Sequence, residues 1–117
     1  MKDKLKELST IEDLNRALSE SGSQPVLVFK HSLTCHISTR ALSEFNSYLK
    51  TADPSVSYNL ITVQTARNVS AEAASRLEIE HESPQAILVC NGRQVWNASH
   101  LGITASSIDE AIRGIRR

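Results

Sequence analysis

Residues 26–29, Val-Leu-Val-Phe, form a short unbroken apolar run, which suits a strand buried in a sheet. A polar turn follows over residues 30–34. Then Ala41, Leu42, Phe45, Tyr48 and Leu49 recur at the spacing of one helix face, and that helix ends near Lys50, ahead of the Asp53-Pro54 turn. Upstream, Ile11, Leu14, Ala17 and Leu18 make the same kind of stripe. Thr10 and Asp13 stand where a helix-start box would place them, and Gly22 is expected to stop that helix. Residues 56–63 read as a second strand, with Tyr58, Leu60, Ile61 and Val63 all β-prone.

The spacing predicts a third helix from Ser70, with Glu72 in its first turn and Ala73, Ala74 and Leu77 facing inward, stopping before His81. Ser83-Pro84 leads into a strand over residues 85–90. Asn91-Gly92 is suited to the two positive φ values of a type I′ turn, so residues 93–98 return antiparallel. Thr104 caps a last helix with the stripe Ala105, Ile108, Ala111, Ile112 and Ile115. A βαβ unit followed by a ββα unit predicts an α/β fold: a mixed four-stranded β-sheet with helices on both faces, one domain over residues 1–117.

The bulk numbers narrow the function. At 40% apolar and 22% charged residues, a chain of 117 can bury one core without metals or cross-links. Thirteen basic and thirteen acidic side chains cancel, so there is no general attraction for nucleic acid or an anionic membrane. Arg113, Arg116 and Arg117 read as the dipole-complementing end of the last helix. Residues 1–7 alternate lysine with acidic residues and hold no apolar leader, and no run approaches a membrane span. Two cysteines are no disulfide framework, which points to a reducing, cytoplasmic setting.

Cys35 carries the candidate chemistry. It falls where a strand hands over to a helix, where unpaired N–H groups and the helix dipole favour an anion, the setting of a reactive thiol. Ser38 stands three residues on, where a dithiol enzyme has its second cysteine, so a redox site here works through one sulfur and a mixed disulfide. Ser38 is expected to donate a hydrogen bond to the thiolate. Lys30 is a nearby cation for carboxylates of a thiol ligand. His31 and His36 either support the thiolate when protonated or face solvent. Cys90 has two readings, a buried structural residue or a resolving thiol, the latter requiring Cα atoms within about 7 Å of each other. The four histidines and two cysteines match no zinc spacing, so no metal is expected. Trp96 is read as hairpin packing.

Four blocks, Lys30-His31-Ser32, Thr34-Cys35-x-Ile37-Ser38, the run from His81 to Leu88, and Trp96-x-Ala98-Ser99-His100, together resemble the YtxJ-like monothiol bacilliredoxins of the thioredoxin superfamily. The resemblance implies a thioredoxin-like fold and removal of bacillithiol from S-bacillithiolated client proteins. Bacillithiol is then co-substrate, no cofactor is held tightly, and a separate reductase recycles bacillithiol disulfide. Cys35 matches the active cysteine and Ser38 the serine that replaces the second one. Pro84 matches the cis proline beside the thiol, with Ser83 lining the groove and Thr34 in the turn whose N–H groups face the sulfur. His36 departs from the family pattern Thr-Cys-Pro-Ile-Ser. Two other readings stay open: an iron–sulfur cluster carrier of the monothiol glutaredoxin kind, and a thiol sensor or adaptor without catalysis.

Overall fold

A computed structural model of the protein describes residues 5–115; Met1 to Lys4, and Arg116 and Arg117 of the basic cluster, lie outside them. In chain order the elements are β1 (Leu5–Glu7), α1 (Ile11–Glu20), β2 (Val26–His31), α2 (His36–Leu49), β3 (Ser57–Thr62), α3 (Arg67–Leu77), β4 (Gln85–Cys90), β5 (Arg93–Ser99) and α4 (Ala105–Ile115), with a 3₁₀ turn, His100–Gly102, before α4. The strands lie in the order β1-β3-β2-β4-β5. The parallel pairs are β1 with β3 and β2 with β3, while β4 runs antiparallel to both β2 and β5.

The sheet therefore has five strands where four are predicted. The extra one, β1, is three residues long with one apolar side chain, and it pairs Leu5 with Tyr58 on the sheet edge. A short, polar edge strand of this kind carries no apolar rhythm of its own, because its pairing is long-range.

Alternation along β2 divides the core. Val26 and Val28 face Leu14, Leu18, Val69, Ala73 and Leu77, the inner sides of α1 and α3. Leu27 and Phe29 face Phe45, Tyr48, Ile108 and Ile112, the inner sides of α2 and α4. Phe29 and Phe45 stack with ring centroids 5.0 Å apart. Helices thus cover both faces of β2, which is why it reads as a continuous apolar run rather than an alternating one.

Three local readings need correction. Helix α3 begins at Arg67, not Ser70, because the turn after β3 runs straight into it: Thr62 O accepts from Ala66 N at 3.0 Å, and Ala66, the N-cap residue, offers no side-chain acceptor to advertise the start. Glu72 accordingly lies in the second turn. Gly22 does not stop α1 in a left-handed conformation; Ser21 is the right-handed C-cap residue, and Gly92 is the glycine with positive φ among the described residues. The Asn91-Gly92 turn forms as expected, with φ of 54° and 76°. Ser21 grips it: its carbonyl accepts from Asn91 N at 2.7 Å and its hydroxyl from Gly92 N at 2.8 Å.

Candidate functional site

Strands β1, β2 and β3 run parallel, so the helices that follow them all begin at one end of the sheet. Cys35 sits at that end as the N-cap residue of α2, in extended conformation, its side chain making no capping hydrogen bond. Its carbonyl accepts from Thr39 N at 3.1 Å, closing the first turn. The half-buried Cys35 thus stands at the N-terminus of a fourteen-residue helix, the positive end of its dipole. The next two side chains, His36 and Ile37, are exposed.

Ser38 has a different role from the one expected of it. Its hydroxyl is fully buried, accepts from Ser32 N at 2.8 Å and lies 2.7 Å from His31 Nδ1. Its hydrogen-bond partners are thus the Ser32 amide and the His31 ring rather than the Cys35 sulfur. The burial of His31 pushes its pKa below the usual imidazole range, partly opposed by the Glu7 carboxylate. Ser38 and His31 together fix the end of β2 to α2 beneath Cys35.

Lys30 also turns away from the surface. It follows Val26 and Val28 onto the α3 face and is 0% exposed; its Nζ donates to Ser70 O at 3.1 Å and lies 3.2 Å from His81 Nδ1. Burial pushes its pKa down to about 8. Burial and the Lys30 charge push His81 down as well, against a weaker pull from Glu82. Both side chains are buried, so neither Lys30 nor His31 presents its charge-bearing nitrogens at the surface. Lys30 ties β2 to α3 and to the loop before β4.

That loop carries Ser83 and Pro84, joined by a cis peptide bond. Because Gln85 pairs with Lys30, the loop lies at the same end of the sheet as Cys35. Pro84 is buried, and its carbonyl accepts from His100 N at 3.1 Å; His100 Nε2 lies 3.4 Å from a Glu82 oxygen. The Ser83 hydroxyl is buried with no hydrogen-bond partner. Around this end the surface shows large exposed apolar side chains, Leu33 at 58% and Ile37 at 38%, with Leu101 at 63% in the turn packed against α2.

Cys90 is not brought to Cys35. In the antiparallel β2–β4 ladder, Val89 pairs with Val26 and Gln85 with Lys30, which puts Cys90 at the opposite end of the sheet. The five-residue rise from Val26 to His31 spans about 16 Å, well past the reach of a disulfide. Burial raises the Cys90 thiol pKa. The resolving-thiol reading is ruled out for this fold. Among the described residues no cluster of three histidine, cysteine or acidic side chains could hold a metal ion, and no helix is long and apolar enough to cross a membrane.

Gln64, just after β3, is a site residue that sequence reasoning missed. It contacts three consecutive residues before Cys35, yet a lone glutamine in a turn belongs to no motif.

One thiol at the start of a helix, a serine in place of the second sulfur and a cis proline at the same end of the sheet are found in a chain whose residues 6–108 match the family model for the monothiol bacilliredoxin BrxC. The protein belongs to the monothiol bacilliredoxin family. A solved protein of thioredoxin fold is 35% identical, with a TM-score of 0.83 over 95% of this chain and 96% of its own. A thioredoxin from Fasciola hepatica is 17% identical, with a TM-score of 0.75 over 93% and 97% of the two chains. A poplar thioredoxin h mutant is 21% identical, with a TM-score of 0.75 over 97% and 83%. The fold is therefore thioredoxin-like, and this bacilliredoxin-family protein is a monothiol redox protein of the thiol oxidoreductase class.

Proposed function

We propose that the protein removes bacillithiol from mixed disulfides on client proteins. The observation that carries this reading is a single half-exposed thiol at an uncapped helix start, with the other described cysteine at the far end of the sheet. The Cys35 thiolate attacks the bacillithiol sulfur of the client mixed disulfide. The old S–S bond breaks, and the client leaves with the electron pair as a thiolate that takes its proton from water. Cys35 now carries bacillithiol. With no second sulfur in reach, a free bacillithiol thiolate attacks the same carried sulfur, releasing Cys35 and forming bacillithiol disulfide for a separate reductase.

A helix start in general favours negative charge on a thiol both as it attacks and as it leaves. The concave surface around Asp53 and Pro54 lies at the other end of α2 from Cys35. The exposed Leu33 and Ile37 on either side of Cys35 suit a protein substrate. The test is release of bacillithiol from one modified client, followed by mass spectrometry. The native protein is expected to release it catalytically with free bacillithiol present; modification of Cys35 without turnover would replace this reading with that of a thiol sensor.

A further inference from the structure

The three residues before Cys35 are held by a single side chain from across the sheet. Gln64 Oε1 accepts from Leu33 N at 3.0 Å, and Gln64 Nε2 donates to Ser32 Oγ at 2.9 Å and to Thr34 Oγ1 at 3.4 Å. The amide can sit only one way round, because a backbone N–H must meet the oxygen, which leaves the NH₂ for the two hydroxyls. Its own backbone is anchored too: Val63 N, one residue earlier, donates to His31 O at 2.9 Å.

On the inner side, Ser32 N is bound by Ser38 Oγ from within α2. Residues 32–34 are thus gripped by Gln64 on one side and by Ser38 on the other, while the Leu33 side chain stays exposed. The loop has no regular secondary structure of its own to hold it. We infer that Gln64 is a positioning residue, which fixes the approach loop and with it the place of Cys35 at the start of α2. Loosening the loop lets the sulfur leave that position, and small displacements of a reacting atom are costly in rate.

This inference rests on Cys35 being the exchanging thiol, and its test is chosen to stand apart from the identity of the small thiol. Two rates are read: alkylation of Cys35 by iodoacetamide, and release of bacillithiol from a modified client. The variants are Gln64→Leu, which keeps the size and loses all three hydrogen bonds, Ser32→Ala, which loses one, and the double variant; melting temperature is read on each. Gln64→Leu is expected to slow both rates about fivefold, Ser32→Ala less, and the double variant no more than Gln64→Leu alone, the non-additivity of groups in one network. A purely structural role would lower the melting temperature and leave alkylation of the folded protein unchanged. Alkylation within twofold of native in Gln64→Leu overturns the inference. Slowed alkylation in a protein whose native form releases no bacillithiol keeps the inference and sinks the proposed substrate.

Discussion

Helices α1 and α2 start at the same end of the sheet, each after a parallel strand, and the two starts are built in opposite ways. At α1, Thr10 Oγ1 accepts from Asp13 N at 3.1 Å and the Asp13 carboxylate accepts from Thr10 N at 3.2 Å and Ser9 N at 2.9 Å, so the amides are met by the chain's own oxygens. These bonds hold the Asp13 carboxyl below its usual range, the Ser9 amide foremost. At α2 the N-cap residue is Cys35, whose side chain caps nothing. An equivalent start with the oxygen withheld puts a thiol where a cap would sit. The contrast separates stability from function: the same position that would contribute about 1 kcal/mol as a threonine or serine cap is given over to a thiol.

The largest effect expected comes from making the second start resemble the first. Cys35→Ser supplies a capping hydroxyl and removes the nucleophile. Client release should fall by about a hundredfold or more, while chemical denaturation should show a gain of about 0.5–1 kcal/mol. Cys90→Ala, measured beside it, should release bacillithiol within about twofold of native, because that thiol lies outside the exchange path.

Next in size is the buried cation beneath the cis-proline loop. Lys30 has its pKa pushed down to about 8 by burial, so it is charged in folded and unfolded chains below that pH and neutral only in the folded chain between there and its ordinary value. The unfolded state binds more protons across that window, so stability rises with pH above about 8. The rise should be on the order of 3 kcal/mol in full. In Lys30→Met, denaturation midpoints compared at pH 7.5 and 9.5 should lose this dependence. The window ends where Tyr58 begins to act with the opposite sign, its phenol held protonated by burial and by the Tyr48 hydroxyl.

The smallest effect comes from making the first start resemble the second. Thr10→Ala should cost about 1 kcal/mol in a denaturation midpoint. It should leave the release rate unchanged, because no contact of the α1 box reaches the exchanging sulfur. A slower enzyme would break the separation between the two helix starts.

What the sequence made legible follows the range of the interactions. The Asn91-Gly92 hairpin, the Thr10 and Thr104 caps and the place of Cys35 at a strand-to-helix turn depend on residues a few positions apart, and all four are present. The run of β2 announces burial but not which core each residue enters, because a strand covered on both faces has no polar side. For that reason the run leaves Lys30 free to read as a surface cation, although it lies on the α3 face. Ser38 was read against the sulfur three residues away, yet its partner is His31, seven residues back on the neighbouring strand. Gln64 reaches its loop across about thirty residues of chain, and β1 finds β3 across more than fifty. No local pattern encodes either.

The central claim is that one sulfur, with no partner in the chain, takes up and hands on the small thiol. Mass spectrometry of the native protein after incubation with bacillithiol disulfide tests this most directly. The account predicts a single bacillithiol adduct located on Cys35, and its loss when free bacillithiol is added. A product lighter by two hydrogens, with Cys35 and Cys90 joined in one disulfide, would contradict it.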